Sequence, residues 1–412
     1  MNYGLIGEKL GHSFSADIHH RLCGYDYELK EISPDQLSSF IRNRDFSSIN
    51  VTIPYKEQVI PLLDEVSDAA RRIGAVNTIV NRNGVLYGYN TDFLGLKALI
   101  ERAGISIAGK NVLVLGSGGT SKTAAAVAED LGCRSIVRVS RTERDDCITY
   151  EQAKQSYANA EVLINTTPCG MYPRIGESAV DASCFPALQA VVDVVYNPLR
   201  TKLVCDAQAR GITAVGGLYM LVAQAAYAAE RFTGNSIDEE KIERIYQQLF
   251  AEKQNIVLIG MPGSGKSTVG KALAQQLHRD FIDTDEEIVR RDGRAISDII
   301  TTDGEAAFRQ LEAEIIRTCS ARQGYVIATG GGAILNRENV DLLRENGRIY
   351  FLDRSLSLLC ATADRPLSSS REALEQRYAE RYALYQQACD VRIIADGDVD
   401  DVVNQIRKDL TL

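Results

Sequence analysis

The stretch NIVLIGMPGSGKST, residues 255–268, decides the fold of the C-terminal part of the chain. A short apolar run leads into the pattern G-x-x-x-x-G-K-[ST], whose glycines let the backbone curl so that its N–H groups point at phosphate oxygens. The amphipathic helix expected next directs its positive N-terminal end toward the same anion. We therefore expect Lys266 to reach the outer phosphates of a nucleotide and Ser267 to hold Mg²⁺. The alternative interpretation is a glycine-rich turn without a ligand.

The position of this phosphate-binding loop (P-loop) divides the chain. Such a loop follows the first strand of its domain, so a domain with a parallel sheet flanked by helices is expected over residues 255–412. Residues 1–254 then need an explanation of their own. The polar residues just before the predicted strand form a short linker without glycine, which argues against a loose tether between the two halves.

Composition excludes several classes of protein. The 412 residues are 45% hydrophobic and 25% charged, as in ordinary globular proteins, and the net charge of −9 argues against a nucleic-acid partner. We expect no secretory signal, and the longest apolar stretch, residues 217–229, is too short to span a membrane. Nine cysteines without C-x-x-C spacing and four histidines without metal-ligand spacing predict reduced thiols and no zinc site. The sequence therefore predicts a cytoplasmic protein without a nucleic-acid or membrane partner, and it leaves the oligomeric state open.

A second phosphate-type loop follows the apolar run NVLVL, residues 111–115. A helix over residues 121–131 and a strand over residues 135–139 are predicted to complete a βαβ unit. The loop approximates the dinucleotide fingerprint G-x-G-x-x-G, with Ser121 at the third glycine position. Its glycines are Gly116, Gly118 and Gly119. This pattern predicts a Rossmann domain.

The residues after the second strand of this unit predict the cofactor. An NAD site places an acidic side chain there, whereas an NADP site offers arginine to the 2′-phosphate. This chain has Ser140, Arg141, Thr142, Glu143 and Arg144, with no carboxylate at the strand end. The sequence therefore predicts NADP(H), and the alternative is that both arginines only face water.

Polar side chains also follow predicted strands near the N-terminus. Ser13 and Ser15 stand at a strand–helix turn, where two hydroxyls either bind a small anion such as a carboxylate or cap the helix. Lys56 comes shortly after the strand over residues 49–53. Taken alone, Lys56 is more typical of a surface lysine.

The segment GAVNTIVNRNGVLYGYNTD, residues 74–92, predicts a hairpin because Asn83-Gly84 separates two apolar runs. The hairpin delivers Asn77 and Asp92 to its ends. Asp92 precedes a helical pattern, so it is either a functional carboxylate or the N-cap of that helix.

Two helices are expected before the linker. The first is nearly all apolar, contains Gln224, which needs a hydrogen-bond partner if buried, and stops at Gly234. The second is predicted to begin after Ser236, with Glu239 completing a capping box.

Charged residues of the C-terminal part supply further candidates. Asp283 and Asp285 follow a strand, and the later strand ends in glycines rather than in the aspartate that often supports Mg²⁺, so this pair is predicted to do the metal and base work. Arg309 and Arg381 can form forks for a substrate carboxylate. Arg365 suits a lid that closes on phosphates. Each arginine taken singly is more often a solvated surface residue.

Several ordered motifs resemble two enzyme families. Residues 1 to about 250 resemble shikimate dehydrogenase through GEKLGHSFSADIHH (7–20), NVTIPYK (50–56), GAVNT (74–78), GYNTD (88–92), GSGGTSKT (116–123), INTTPCGM (164–171) and GLYMLVAQA (217–225). Residues from about 254 to 412 resemble shikimate kinase through GMPGSGKSTVGKALA (260–274), FIDTD (281–285), SDIITTDGEAAFRQLE (297–312), TGGGAI (329–334), ADRPL (363–367) and RYALYQQACDV (381–391).

The first resemblance implies roles in the reduction of 3-dehydroshikimate by NADPH. Lys56 and Asp92 are its implied catalytic pair. The glycine loop, residues 140–144 and Gly217 are implied to contact the cofactor. The implied substrate pocket comprises Ser13, Ser15, Asn50, Thr52, Asn77, Tyr196 and Gln224. His20 and Tyr219 stand where these dehydrogenases usually have Asn and Gly.

The second resemblance implies roles in the phosphorylation of shikimate by ATP. ATP and Mg²⁺ are served by Gly263, Gly265, Lys266, Ser267, Thr268 and Asp283, and Arg365 comes from the lid. Shikimate is held by Asp285, Arg309, Gly331, Gly332 and Arg381. Ile300 replaces a usual pocket aromatic, Ala383 a usual proline, and the lid segment 367–373 is a few residues short.

Together the resemblances imply an α/β chain with three domains. These are a dehydroshikimate-binding domain over residues 1–92 and 217–250, an NADP-binding Rossmann domain over 93–216, and a P-loop kinase domain over 255–412. Two alternatives stay open: one half is a non-catalytic binding or regulatory module, or the kinase acts on another small hydroxy acid.

Overall fold

The computed structural model describes residues 1–11, 13–144, 146–359 and 371–410. The chain packs as two compact units. Unit 1 comprises Met1–Cys169, Ser178–Tyr196 and Asp206–Leu249, and unit 2 comprises Gly170–Glu177, Asn197–Cys205 and Phe250–Leu412. This division describes packing, and the three functional domains named above stay predictions.

The first sheet of unit 1 has six strands in the order β2-β1-β3-β5-β6-β4. Strand β5 is antiparallel to β3 and β6, whereas the other pairs are parallel. The strands are β1 (Tyr3–Gly7), β2 (Glu28–Glu31), β3 (Ser48–Val51), β4 (Glu65–Val66), β5 (Thr78–Arg82) and β6 (Val85–Tyr89). The helices are α1 (Ser15–Cys23), α2 (Pro34–Asn43), α3 (Asp68–Ile73) and α4 (Thr91–Arg102).

The predicted hairpin is present as β5 and β6. Asn83 and Gly84 both have positive φ, 54° and 85°, the backbone that a two-residue hairpin turn requires and that asparagine and glycine tolerate. The turn fixes the register in which Thr78 pairs with Tyr89. The hairpin therefore brings Asn77 and Asn90, which flank it, to the same end of the sheet.

The second sheet of unit 1 is all parallel, with the order β12-β11-β10-β7-β8-β9 that a Rossmann domain is expected to have around its first strand. Its strands are β7 (Asn111–Leu115), β8 (Ser135–Ser140), β9 (Ile148–Thr149), β10 (Val162–Asn165), β11 (Ala190–Asp193) and β12 (Thr213–Val215). The helices that follow along the chain are α5 (Gly119–Asp130), α6 (Tyr150–Ser156), α7 (Lys202–Ala209), α8 (Leu218–Thr233) and α9 (Glu239–Lys253), of which α8 packs against α4 and α1.

The sheet of unit 2 is parallel, with the order β14-β15-β13-β16-β17. Its strands are β13 (Asn255–Ile259), β14 (Phe281–Asp283), β15 (Val326–Ala328), β16 (Gly347–Asp353) and β17 (Val391–Ile394). Its helices are α10 (Lys266–Leu277), α11 (Thr284–Asp292), α12 (Ile296–Asp303), α13 (Glu305–Ser320), α14 (Arg337–Asn346), α15 (Arg371–Ala388) and α16 (Val399–Leu410). Short 3₁₀ helices occur at Ile60–Leu62, Ala182–Cys184, Ala333–Leu335 and Leu356–Leu358.

The central strand β13 is buried on both faces. Val257 and Ile259 pack into one apolar cluster, and Ile256 and Leu258 pack into another. Helices therefore cover both sides of this sheet, as its continuous apolar run predicts. The strand ends at Ile259, directly before the P-loop, so the loop lies at the carboxyl edge of the sheet where α/β proteins bind ligands.

Unit 2 also contains two short segments from earlier in the chain, residues 170–177 and 197–205. The Leu199 amide donates to Asn346 Oδ1 over 2.9 Å, and the Gly176 amide donates to Glu345 Oε2 over 3.2 Å. Glu345 and Asn346 are each only 1% exposed. Buried acceptors need donors, so these backbone amides are part of the packed interior of unit 2.

The helices of the described residues range from short turns to the 18 residues of α15. None combines the length and the apolar composition that crossing a bilayer requires.

Candidate active sites

One edge of the first sheet collects the polar residues predicted for the dehydrogenase half. The carboxyl ends of the parallel strands β1 and β3 lie there. Because β5 is antiparallel to β3 and β6 is antiparallel to β5, the start of β5 and the end of β6 reach the same edge. The residues that follow or precede these strand ends include Ser13, Ser15, Asn50, Thr52, Lys56, Asn77 and Asp92.

Lys56 and Asp92 form an ion pair at this edge. Lys56 Nζ lies 2.6 Å from Asp92 Oδ2, and the two side chains are 16% and 11% exposed. The N-cap of α4 is Asn90, whose side chain accepts from the Phe93 amide over 3.0 Å. Asp92 is therefore not the helix cap, and its carboxylate instead holds a lysine that is accessible on one side.

Two asparagines beside this pair are held by buried hydrogen bonds. Asn50 Nδ2 donates to the Asn77 carbonyl oxygen and to Thr78 Oγ1, both over 3.1 Å. Asn77 Oδ1 accepts from the Thr91 amide over 2.7 Å, and Asn77 Nδ2 donates to Thr91 Oγ1 over 3.1 Å. Within the described residues, the second N–H of Asn77 has no hydrogen-bond partner. Thr78 and Thr91 were not predicted, since only strand pairing brings them here.

The remaining substrate candidates surround the same place. Ser13 Oγ accepts from the Ser15 amide over 3.2 Å, so Ser13 supports the start of α1 while its hydroxyl hydrogen stays available. The Tyr196 ring lies 5.4 Å from the ring of Phe14, the residue between the two serines. Thr52 lies two residues beyond Asn50 and is half-buried.

Gln224 lies on α8 where this helix crosses α4. A Cβ at Gly95 would come within 2.8 Å of Gln224 Cβ, so the absence of a side chain at Gly95 lets the two helices approach closely. Gly95 is one turn after Asp92, which places Gln224 beside the catalytic candidate. The Gln224 amide donates to the Leu221 carbonyl over 3.0 Å and so finds the partner its burial requires.

The glycine loop after β7 has the backbone that a dinucleotide site needs. Gly116 has φ 128°, and a Cβ there would lie 2.4 Å from Thr166 Oγ1, so only glycine fits. Helix α5 begins at Gly119 with Gly118 as N-cap. Ser121 occupies the third fingerprint position without penalty because its hydroxyl donates to the Gly118 carbonyl over 2.7 Å. Backbone N–H groups of this loop therefore suit a pyrophosphate.

The residues after β8 fit a 2′-phosphate. Arg141, Thr142 and Arg144 are exposed, and neither arginine has an ion pair within the described residues. The Ser140 hydroxyl donates to the Thr142 carbonyl and fixes this turn. Gly217 is required by packing, since a Cβ there would lie 2.1 Å from the Val194 carbonyl oxygen. Its role toward the cofactor stays a prediction.

The P-loop of unit 2 is formed as the sequence predicts. Gly260, Gly263 and Gly265 have φ of 152°, 84° and 91°, which other residues rarely adopt. Lys266 is 9% exposed, and its Nζ donates to the Gly260 carbonyl over 2.9 Å. Helix α10 begins at Lys266, so Ser267 and Thr268 stand in its first turn.

Ser267 and Asp283 meet beside this loop. Ser267 Oγ donates to Asp283 Oδ2 over 2.5 Å, and Asp283 Oδ1 caps α11 by accepting from the Asp285 amide over 3.0 Å. A hydroxyl and a carboxylate oxygen fit Mg²⁺, which is usually held by one or two protein oxygens, phosphate oxygens and water. The described residues contain no cluster of three or more His, Cys, Asp or Glu side chains that could hold a metal alone.

Three glycines after β15 gather the predicted shikimate ligands. A Cβ at Gly330 would lie 2.5 Å from Asp285 Oδ1, and one at Gly332 would lie 2.3 Å from Arg309 Nη1. The Gly331 carbonyl accepts from Arg381 Nη1 over 3.0 Å. Asp285, Arg309 and Arg381 thus converge on one loop. A Cβ at Gly331 would contact Pro262 of the P-loop at 2.8 Å, so this cluster lies beside the nucleotide site.

Two residues that sequence reasoning missed hold this cluster. Glu312 is 1% exposed and accepts from Arg309 Nη1 over 2.8 Å. Burial raises the pKa of Glu312, while Arg309 opposes that rise. Tyr385 Oη donates to the Gly331 carbonyl over 2.6 Å. Glu312 lies one turn after Arg309 on the same helix, a spacing that could have identified it.

The other kinase predictions lie in different places. Arg365 and most of the lid segment 367–373 lie outside the described residues. Ile300 is half-buried on α12 and packs against the apolar cluster of this unit. Ala383 is exposed on α15.

Comparison with known proteins identifies both halves of the chain. The family model "Shikimate dehydrogenase substrate binding domain" matches residues 5–79, and the family model "Shikimate kinase" matches residues 262–411. The NADP(+) shikimate dehydrogenase of Clostridium perfringens is 39% identical over 264 residues, which are 60% of this chain and 97% of that protein.

Solved structures agree with this result. Shikimate dehydrogenase 1 from Peptoclostridium difficile is 37% identical with a TM-score of 0.56, and the match covers 60% of this chain and 98% of that one. Shikimate 5-dehydrogenase from Thermus thermophilus, solved in complex with NADP(H) and shikimate, is 30% identical with a TM-score of 0.54 and coverages of 60% and 99%. The chain therefore belongs to the shikimate dehydrogenase family and carries a shikimate kinase domain fused behind it.

Proposed function

We propose that the chain catalyses two consecutive reactions of aromatic amino-acid biosynthesis. The first is the NADPH-dependent reduction of 3-dehydroshikimate to shikimate, and the second is the ATP-dependent phosphorylation of shikimate to shikimate 3-phosphate. The observation that carries this proposal is that both sets of chemical groups are complete in one chain. Unit 1 holds the Lys56–Asp92 pair, and unit 2 holds the Ser267–Asp283 pair beside the P-loop.

In the reduction, the chain's own residues bind the ketone and move a proton. NADPH supplies the hydride, and the residues proposed to hold it are Gly116, Gly118, Gly119, Ser140, Arg141, Thr142, Arg144 and Gly217. Lys56 Nζ donates a proton to the carbonyl oxygen, where negative charge develops. Asp92 keeps that ammonium in place through its 2.6 Å contact. Asn77 offers its remaining N–H to the substrate, and Ser13, Ser15, Asn50, Thr52, Tyr196 and Gln224 complete the pocket.

In the phosphorylation, positioning and charge compensation supply most of the catalysis. Arg309 and Arg381 bind the shikimate carboxylate, and Gly331 and Gly332 leave room for the ring. Asp285 accepts the proton of the attacking hydroxyl. Ser267 and Asp283 would hold Mg²⁺, which would compensate phosphate charge. The nucleotide phosphates are bound by Gly263, Gly265, Lys266 and Thr268, with Arg365 closing from the lid.

The proposal includes the setting of the reactions. Both substrates are small molecules, and neither reaction requires a nucleic acid or a membrane. We place the enzyme in the cytoplasm, which the reduced-thiol composition supports: the eight described cysteines form no disulfide.

The test is a one-pot assay of the full chain with dehydroshikimate, NADPH and Mg-ATP that follows NADPH loss and shikimate 3-phosphate. Lys56→Ala is expected to abolish the reduction and leave the phosphorylation of added shikimate intact, and Lys266→Ala is expected to do the reverse. Lys271→Ala serves as the control because this exposed lysine on α10 forms its ion pair with Glu286 at the surface. A variant that lost both activities while staying folded would refute two separate sites.

A further inference from the structure

Behind the Asn50 carboxamide lies a group of stacked rings that no step of the proposed reactions uses. We call it the aromatic cluster, and its members are Tyr3, His19, Tyr25, Tyr27 and Phe232. The His19 ring stacks on the Tyr27 ring with centroids 4.0 Å apart and planes 8° apart. The His19 ring also stacks on the Phe232 ring, with centroids 5.7 Å apart and planes 12° apart.

The hydrogen bonds of Asn50 fix which way its amide points. Asn50 Nδ2 donates to the Asn77 carbonyl oxygen, which can only accept, so the nitrogen and oxygen of this amide cannot be exchanged. Asn50 Oδ1 therefore faces Tyr27, whose hydroxyl donates to it over 2.7 Å. Both N–H groups of Asn50 are used inside the protein. Asn50 Oδ1 keeps a second lone pair that can accept another hydrogen bond, from a substrate hydroxyl or from the neighbouring His19 ring.

His19 stacks on the Tyr27 ring and also lies close to the Asn50 side chain. It is 1% exposed, and its Nδ1 lies 2.6 Å from the Tyr25 hydroxyl, which fixes the rotation of the imidazole. Its Nε2 has no hydrogen bond within the described residues. Burial lowers the pKa of His19 to about 3, and a polar interaction with the Asn50 side chain only partly opposes this shift, so the ring stays neutral and stacks as a flat, uncharged surface. Because the hydrogen bond with Tyr25 fixes the plane of the His19 ring, the stacked Tyr27 ring is held nearly parallel to it.

We propose that Tyr27 and His19 are positioning residues of the reduction. Tyr27 orients the Asn50 carboxamide so that Oδ1 accepts from a substrate hydroxyl, and His19 holds the Tyr27 ring in the plane from which its hydroxyl reaches Asn50. Neither residue touches the reacting atoms. The inference rests on the proposed dehydrogenase function, because Asn50 has this role only if dehydroshikimate binds at the edge of the first sheet.

Tyr27→Phe in the full chain tests the first step. The variant keeps the ring stack and removes only the hydroxyl. We expect KM for dehydroshikimate at saturating NADPH to rise about five- to tenfold, the effect of one hydrogen bond, with kcat within about twofold because Lys56 and Asp92 are untouched. Tyr3→Phe is the matched control: Tyr3 belongs to the aromatic cluster, but its hydroxyl makes no hydrogen bond in the described part of the chain. An unchanged KM in Tyr27→Phe overturns the proposal.

A double-mutant cycle tests the second step. His19→Ala is expected to raise KM as Tyr27→Phe does, and adding His19→Ala to Tyr27→Phe is expected to raise it no further, because His19 acts through the Tyr27 hydroxyl. Additive effects overturn the role of His19, since a merely structural change would weaken both backgrounds equally. If His19→Ala does not fold, the result for Tyr27→Phe alone decides. Absence of any reduction by the unmodified chain would instead refute the proposed function.

Discussion

At the scale of single residues, the Lys56–Asp92 pair is more buried than the Lys97–Asp130 ion pair. Its side chains are 16% and 11% exposed, whereas those of Lys97 and Asp130, joined over 2.9 Å, are 34% and 36% exposed. Ion pairs at the surface contribute little, because water screens both charges. A pair held partly out of water keeps its charges oriented toward whatever enters the site.

Asp92→Asn is therefore expected to lower kcat of the reduction roughly a hundredfold, within the range for losing a charged partner in proton transfer. The amide can still accept from Lys56, so the fold is retained while the negative charge is lost. Steady-state kinetics with dehydroshikimate and NADPH measure the effect. Asp130→Asn removes a charge from the exposed pair and should leave kcat unchanged. Equal effects of the two substitutions would contradict a catalytic role for Asp92.

His19 gives a prediction about acid stability. Its pKa is about 3 when folded and 6.5 when exposed, so below pH 6.5 the unfolded chain binds a proton that the folded chain does not. The free energy of unfolding is therefore expected to fall as pH drops, by about 2 kcal/mol between pH 7.5 and 5. Urea denaturation of the full chain at both pH values measures this loss. His19→Gln should lose less, and an identical loss in both proteins would contradict the assignment.

Helix caps show where sequence reasoning reaches its limit at this scale. The pattern allowed Asp92 as a cap, but Asn90 holds that position. A capping box was predicted from Ser236, but α9 begins at Glu239, and the Asp238 side chain accepts from the Glu240 amide over 3.2 Å. Several capping residue types stand within three positions in each case. Which one caps depends on where the tertiary fold starts the helix, and the local sequence does not contain that information.

At the scale of elements, the three glycines of the loop Gly330–Gly332 leave space for other groups of the candidate kinase pocket because they have no side chains. Each missing side chain leaves space for a group from another element: Asp285 from α11, Pro262 from the P-loop and Arg309 from α13. Gly332 has φ −104°, a backbone that any residue adopts. Glycine is required there by space and not by conformation.

Gly332→Ala is expected to push the Arg309 guanidinium aside, because the new Cβ would lie 2.3 to 2.7 Å from its atoms. The end of a long side chain can move, so the fold should persist. We expect KM for shikimate to rise about tenfold with KM for ATP nearly unchanged, from loss of a charge-assisted contact to the carboxylate. Reduction by the same protein serves as the control. Equal increases in both KM values would indicate general damage to the P-loop instead.

The elements that were predicted from the sequence are those that depend on a few neighbouring residues. The P-loop and the Asn83-Gly84 hairpin are specified by glycine and asparagine at positions that need positive φ, and the sequence contains that signal directly. The hydrogen bonds of Thr78 and Thr91 with Asn50 and Asn77 depend on the antiparallel pairing of β5 with both neighbours. Threonine in a strand has no distinctive pattern, so that part of the site could not be predicted.

At the scale of the whole molecule, unit 2 includes two segments whose hydrogen-bond partners lie 147 and 169 residues further along the chain. Backbone amides of these segments donate hydrogen bonds to the side chains of Glu345 and Asn346, which are buried where α14 ends and β16 begins. Nothing in residues 170–177 or 197–205 predicts this, since the sequence groups them with the Rossmann pattern around them. Which unit a segment packs against depends on tertiary contacts, and local sequence motifs do not contain that information.

Asn346→Ala is expected to destabilise unit 2 by about 1–3 kcal/mol, because the Leu199 amide and the Ser320 carbonyl both lose a buried partner. The half-life of kinase activity on heating should shorten, while dehydrogenase activity in the same sample serves as the reference. Asn404→Ala, at an exposed position on α16, is the matched control. Unchanged kinase inactivation would contradict a structural role for these contacts.

These two segments also have a consequence for the order in which the chain is made. Leu199 is synthesised 147 residues before its partner Asn346. At roughly 5–20 residues per second, that interval lasts on the order of ten to thirty seconds. During this time the Leu199 amide lacks the partner that it has in the folded chain. Unit 1 ends at Leu249, so we infer that a chain whose synthesis stops between residues 250 and 345 contains all of unit 1 but lacks the partner of Leu199 in unit 2.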